Sequence, residues 1–175
     1  MERVLVCGIT GVGKSTFARA LAEQQRLPYI EMDALFHGPN WEPIPSFVED
    51  VTEIVERPRW VFDSHGYSAV RDLMWSRADT VVWLDYTRAV VMRRVLWRST
   101  RRAGFSEFIF NDNVERFRDW LDPEHPVQWA WTQYQWRRDD MTRRFADPKY
   151  AHLRRVRISK PRAAGLWLSR VAARP

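Results

Sequence analysis

A doubly wound α/β fold on a five-stranded parallel sheet is predicted for this chain by three observations. Two apolar runs, Trp60-Val61-Phe62-Asp63 and Thr80-Val81-Val82-Trp83-Leu84-Asp85, lack the polar alternation of a half-exposed strand and end in Asp, as parallel strands covered on both faces do. Helical stripes separate such runs, so strands and helices alternate along the chain. Finally, Gly8-Ile9-Thr10-Gly11-Val12-Gly13-Lys14-Ser15 is a complete G-x-x-x-x-G-K-[ST] segment between an apolar run and a helix start, the context in which that motif cradles phosphate.

The elements follow in order. Strand one is expected at about Arg3–Cys7 and helix one at about Lys14–Gln24, opened by Phe17-Ala18-Arg19-Ala20-Leu21-Ala22. A short second strand, Pro28–Glu31, leads to Asp33. The prolines of His37-Gly38-Pro39-Asn40-Trp41-Glu42-Pro43-Ile44-Pro45 rule out a continuous helix and make this a loop. Ser46 and the stripe Phe47/Val48/Val51/Ile54/Val55 mark a helix to about Glu56. Strands three and four are the two Asp-ended runs. A helix over about Arg88–Arg101 precedes an irregular stretch near Gly104–Asn113. Helical segments at about Asn113–Trp120 and Pro126–Phe145, a strand at about Leu153–Ile158 and a helix from Arg162 to about Val171 complete the chain. Ligands of such sheets bind beyond the carboxyl ends of the strands, which gathers Gly8–Ser15, Asp33, Asp63 and Asp85 at one crevice.

Composition bounds the rest. With 175 residues, 45% of them hydrophobic, one ordinary domain is expected. The single cysteine, Cys7, excludes an intramolecular disulfide and gives no sign of a metal cluster. No apolar stretch matches a signal peptide or membrane span, so a cytoplasmic protein is expected. Charge is uneven: residues 1–85 carry 8 basic and 13 acidic groups, residues 86–175 carry 20 and 9. Of the 28 cations, 25 are arginines, whose forked donors match phosphate oxygens. A nucleotide's phosphates suffice as partner. Nucleic acid is the lesser alternative, because Trp97, Trp120, Trp129, Trp131 and Trp136 interleave with the basic residues; helical spacing of Trp129 to Trp136 favours packing over base stacking.

The motif itself assigns several roles. Backbone N–H groups of Gly8, Thr10, Gly11, Val12 and Gly13 and the start of the helix point toward phosphate. Lys14 adds a full charge, Ser15 offers its hydroxyl to Mg²⁺, and Thr16 is an expected α-phosphate contact. ATP and Mg²⁺ are therefore the expected cofactors; no Asn-Lys-x-Asp segment signals guanine.

Taken together, the phosphate loop, Asp33 after strand two, Asp63 ending strand three with Arg71 on the next helix, and an arginine-bearing helix before a lid-like insertion at about 102–125 resemble P-loop kinases of the adenylate-kinase-like branch. That resemblance implies a nucleoside-monophosphate-kinase type of P-loop fold with a helical lid. It matches Arg94 and Arg98 to arginines beside the adenine and on the phosphates, and puts Ser159-Lys160-Pro161 in an adenine-contacting loop. More narrowly, Ile30-Glu31-Met32-Asp33-Ala34-Leu35-Phe36, Asn40-Trp41, Pro58-Arg59-Trp60-Val61-Phe62-Asp63 and Tyr67 are similar to bacterial DNA topology modulation proteins. Asp63-Ser64-His65-Gly66-Tyr67 departs from both patterns, which carry Gly after the Asp.

The expected activity is transfer of the γ-phosphate of ATP to a small acceptor, a nucleotide, nucleoside or other hydroxyl or phosphate compound. Lys14, Asp33 and Arg98 are the catalytic candidates, Asp33, Trp41 and Arg71 face the acceptor, and Ser15 and Asp63 hold Mg²⁺. Arg94, Arg98 and Arg102, spaced i, i+4, i+8, share a helix face and form a phosphate clamp or a solvated basic face. Asp85 rivals Asp63 for the metal or caps the helix near Arg88. His37 and His65 are expected to be hydrogen-bonded loop residues with no metal-ligand spacing. The alternative function is a nucleotide-binding regulatory ATPase contacting nucleic acid through the basic half.

Overall fold

In the computed structural model, residues 1–39, 42–105, 108–109, 113–114 and 126–173 are described. The elements are β1 (Arg3–Cys7), α1 (Lys14–Gln25), β2 (Tyr29–Ile30), α2 (Met32–Phe36), α3 (Phe47–Glu56), β3 (Trp60–Phe62), α4 (Arg71–Arg77), β4 (Thr80–Leu84), α5 (Arg88–Phe105), β5 (Phe108–Ile109), β6 (Asn113–Val114), α6 (Pro126–Ala146), a 3₁₀ turn (Pro148–Tyr150), β7 (Arg154–Ile158) and α7 (Pro161–Ala172). Five strands form one sheet in the order β2-β3-β1-β4-β7. Every pairing in it is parallel, as expected.

The sheet is covered on both faces because its central strands are apolar at every position except their first residues Arg3 and Thr80, and alternate residues serve different cores. Val4 and Val6 of β1, Val61 of β3 and Val82 and Leu84 of β4 join a cluster with Phe17 and Leu21 of α1, Val91 and Val95 of α5 and Ala164 of α7. Leu5, Cys7, Trp60, Phe62, Val81 and Trp83 face the other way, onto Val51 and Val55 of α3, Met74 and Trp75 of α4 and Tyr150. β7 is an edge strand and reads accordingly: Arg154, Arg155 and Arg157 are exposed and only Ile158 is buried.

Three elements differ from the sequence reading. α2 lies between the expected strand end at Glu31 and the expected loop from His37, where no element was assigned. Its first N–H, that of Met32, donates to Asp63 Oδ1 at 3.1 Å, a cap 31 residues away that no local signal announces. α5 runs past Arg101 to Phe105. Asn113 and Val114 form a strand rather than a helix start, pairing antiparallel with Ile109 and Phe108, since aromatic and β-branched residues suit a ladder. The rest of the expected 113–120 helix, and most of the lid expected at about 102–125, lie outside the described residues. No helix among the described residues is long and apolar enough to cross a membrane.

Candidate active site

The phosphate loop joins β1 to α1 over the carboxyl edge of the sheet. Gly13, at the N-terminus of α1, has φ +96, and Gly11 has φ +75, a left-handed region that side chains disfavour. Packing makes the same demand at Gly11, where a Cβ would strike the Val95 side chain. Conformation thus calls for glycine at both positions, and packing calls for it at Gly11 as well. Val12 N–H donates to the Ile9 carbonyl at 3.2 Å and Phe17 N–H to the Gly13 carbonyl at 3.0 Å, so α1 begins directly from the loop.

Lys14 bends back over this loop, its Nζ donating to the Ile9 carbonyl at 3.3 Å. Burial lowers its pKa, Asp33 and Asp63 pull it upward, and Arg98 opposes them. The ammonium therefore sits among the two carboxylates and the arginine that the sequence grouped with it. Ser15 is half-buried and Thr16 exposed, both in the first turn of α1.

Two arginines of α5 dock on the loop from above. Arg94 Nη1 donates to the Val12 carbonyl at 2.6 Å, and its guanidinium lies 5.2 Å from the Tyr86 ring centroid. Arg98 Nη2 reaches Thr10 Oγ1 at 3.5 Å. The i, i+4 spacing places the two residues on either side of Gly11, at Val12 and Thr10, so these two are no solvated face. The side chain of Arg102, third in that row, lies outside the described residues, as does Trp41. Lys160 is exposed in the turn before α7.

The carboxylates separate by environment. Asp63 is 7% exposed; Oδ2 accepts from the Tyr29 hydroxyl at 2.8 Å and Oδ1 from Met32 N–H. Asp85, 8% exposed, accepts from Arg138 Nε at 2.9 Å and from Arg157 Nε at 2.9 Å. Its two oxygens bind arginines of α6 and β7, so the helix-cap reading gives way to an ion triad of one buried carboxylate and two half-exposed guanidiniums. Arg157 also lies over the Trp83 ring, 4.6 Å from its centroid. Asp33 is exposed on α2, with Oδ1 accepting from the Tyr67 hydroxyl at 3.0 Å. That hydroxyl lies 3.3 Å from His37 Nε2. Burial pushes the Tyr67 phenol above its ordinary range, Asp33 adding to the effect, so Tyr67 stays a donor.

Arg71, the first residue of α4, donates from Nε to the Gly66 carbonyl at 2.9 Å. It meets the same loop as Asp33 does through Tyr67, but no direct contact joins Arg71 to Asp33 among the described residues. Four participants escaped the sequence reading of the site: Tyr29, Tyr67 as the partner of Asp33, and the pair His65 and Arg137. Arg137 of α6 donates to His65 Nε2 and packs between Trp129 and Trp136, 4.8 and 5.2 Å from their centroids. Nothing in the run Arg137-Arg138 announces which arginine turns inward.

No three His, Cys, Asp or Glu side chains among the described residues converge as a metal site. A divalent ion here would rest mainly on nucleotide phosphates, with Ser15 and Asp63 as the available protein oxygens. The glycine cradle, the desolvated Lys14 and the docked arginines fit a triphosphate.

No protein-family model matches the chain, and no curated protein matches it in sequence. Solved structures match its fold over nearly its whole length. A shikimate kinase from Acinetobacter baumannii, in complex with shikimate, superposes with TM-score 0.57 at 18% identity, covering 98% of this chain and 90% of that one. A gluconokinase from Sinorhizobium meliloti 1021 gives TM-score 0.54 at 20% identity, covering 98% and 93%. A sugar kinase from Janibacter sp. HTCC2649 gives 0.57 at 17%, covering 98% and 92%. The chain has the α/β fold of P-loop small-molecule kinases.

Proposed function

We propose that this protein is an ATP- and Mg²⁺-dependent phosphotransferase acting on a small acceptor. The observation that carries the reading is the docking of Arg94 and Arg98 onto the same loop that holds Lys14. Three cations thereby surround a cradle of backbone N–H groups, an arrangement suited to polyanion binding and to charge relief during transfer. The kinase-type fold supports it, and the narrower similarity to DNA topology modulation proteins rests on the residues quoted above alone.

Bound ATP with Mg²⁺ supplies the phosphoryl group and neutralises its oxygens. Lys14, Arg94 and Arg98 would orient the phosphates, and Ser15 and Asp63 would hold the metal, Asp63 being fixed by Tyr29 and Met32. Asp85 is committed to Arg138 and Arg157, which favours Asp63 for that role. Asp33 takes the proton of the acceptor hydroxyl as that oxygen bonds to the γ-phosphorus and the bond to the β-phosphate oxygen breaks. Tyr67 holds one Asp33 oxygen and leaves the other for this task. Arg71 is the further acceptor contact in this reading, and Lys160 is assigned to the base.

A screen of nucleosides, nucleotides and small polyols with γ-labelled ATP tests the proposal. At least one acceptor should be labelled, and Asp33→Asn should lower its turnover by about 10²–10⁴-fold. Failure to label any acceptor counts against it.

One observation favours a second reading, a regulatory ATPase on nucleic acid. Trp131 and Trp136 were expected to pack, yet they are 54% and 50% exposed, with Arg88 over Trp131 at 5.1 Å. Steep weakening of single-stranded DNA or RNA binding with salt would support that reading.

A further inference from the structure

Asp33 is exposed on α2, a helix of five residues, and a carboxylate so placed has little packing of its own to hold one rotamer. Its orientation is set from outside the helix. Oδ1 accepts from the Tyr67 hydroxyl at 3.0 Å, and the same hydroxyl lies 3.3 Å from Nε2 of His37. His37 caps the C-terminus of α2 and is spaced i, i+4 from Asp33, one turn along the same side. A single hydroxyl from the loop after β3 therefore meets both.

Both partners of Asp33 are themselves held. The Tyr67 ring stacks on Phe36, with centroids 4.0 Å apart and planes 14° from parallel, and meets Phe47 edge-on at 5.5 Å. The Tyr67 carbonyl accepts from Val70 N–H at 3.1 Å and Arg71 N–H at 2.9 Å, so the start of α4 fixes its backbone as well. His37 N–H donates to the Asp33 carbonyl at 2.9 Å, its backbone bridges to Pro43, and its ring packs edge-on against Phe36 at 4.9 Å. Proton count then gives the chain a direction. A carboxylate only accepts, so the one phenol proton goes to Asp33; the phenol oxygen accepts in turn, and Nε2 of His37 carries the proton it offers. Each bond in such a chain polarises the next.

We propose that His37 and Tyr67 are positioning residues for Asp33: His37 Nε2–H donates to the Tyr67 oxygen, the Tyr67 proton goes to Asp33 Oδ1, and Oδ2 is thereby turned to the acceptor hydroxyl. This rests on the phosphotransferase reading and adds to it two residues that act through Asp33. The Tyr67 proton stays on its own oxygen throughout, because the chain orients the base and takes no part in the transfer. A base held out of line costs rate more than affinity, so the signature is a loss of kcat at an unchanged acceptor KM.

Steady-state kinetics on an acceptor found in the screen compares wild type with Tyr67→Phe, His37→Phe and His37→Gln. Tyr67→Phe should lower kcat by about 10²-fold, with the acceptor KM within about twofold of wild type. His37→Phe should lower kcat less, and His37→Gln, which keeps an N–H donor, should recover most of that loss. In an Asp33→Asn background Tyr67→Phe should cost nothing further, because its effect passes through Asp33. Full kcat in a folded Tyr67→Phe overturns the proposal, as does a rise in KM alone, which makes the hydroxyl an acceptor contact. If no acceptor is labelled, the phosphotransferase reading fails by itself, and the chain is judged by nuclear magnetic resonance of isotope-labelled imidazole nitrogens. At about pH 8.5, where an ordinary histidine is neutral, the His37 Nε2 proton should exchange slowly in wild type and rapidly in Tyr67→Phe. A proton on Nδ1 instead, or an Nε2 proton that exchanges equally in both proteins, overturns the proposal.

Discussion

Arg94 of α5 donates a 2.6 Å hydrogen bond to the carbonyl of Val12, 82 residues earlier in the chain. The bond turns a carbonyl that would otherwise oppose a bound anion toward a cation. It also fixes the loop between Gly11 and Gly13, two of its positions with positive φ. Removing it by Arg94→Ala should lower kcat by about 10²-fold, the scale of one lost electrostatic donor. Steady-state kinetics with thermal melting checks this; an unchanged kcat in the folded variant would remove Arg94 from the mechanism.

Gly11→Ala separates strain from crowding. Its φ of +75 disfavours any side chain, and the added Cβ would strike Val95. We expect a loss of about 1–3 kcal/mol, or a Tm lower by roughly 2–4 °C per kcal/mol for a chain of this size. Adding Val95→Ala should relieve the collision and leave the conformational part, about 1–2 kcal/mol. Denaturant titration of both variants provides the comparison.

The two buried aspartates should part company under substitution. Asp63→Asn should raise the Mg²⁺ concentration needed for half-maximal activity. Asp85→Asn should leave that requirement alone and reduce stability, because Arg138 and Arg157 lose their partner. With those arginine side chains 43% and 48% exposed, solvent tempers the loss to about 1–2 kcal/mol. Metal titrations and melting curves on the two variants would expose an inverted assignment.

Asp72 makes a pH-dependent clamp between α4 and the end of α6. It accepts from the Tyr150 hydroxyl at 2.9 Å, Arg144 at 3.1 Å and Lys149 at 3.1 Å. These donors lower its pKa from 3.8 to about 2. The folded value lies below the unfolded one, so the clamp contributes fully above pH 3.8 and is lost as pH falls through about 2. Asp72→Asn should therefore melt below wild type at neutral pH and converge on it toward pH 2; a constant gap across that range contradicts the linkage.

The strands and their shared crevice were legible because the central runs are apolar throughout and end in Asp. The Gly8–Ser15 loop carried its meaning in residue types alone, and the i, i+4 spacing of Arg94 and Arg98 carried theirs. What escaped was set by distant partners. α2 depends on a cap from Asp63, the ion triad of Asp85 on arginines 53 and 72 residues later, and the Arg137–His65 contact joins residues 72 apart. No local periodicity encodes such meetings. Trp131 and Trp136 show the converse, since their helical spacing suggested packing while the surface of α6 leaves them half exposed.

We propose that the Gly8–Ser15 loop positions a γ-phosphate for transfer. Its most direct test is the rate of γ-phosphate transfer by wild type and Lys14→Ala to an acceptor found in the screen. Measurable transfer by wild type and loss to background in Lys14→Ala are expected, with an unchanged circular dichroism spectrum. Transfer by Lys14→Ala at a rate near wild type would contradict it.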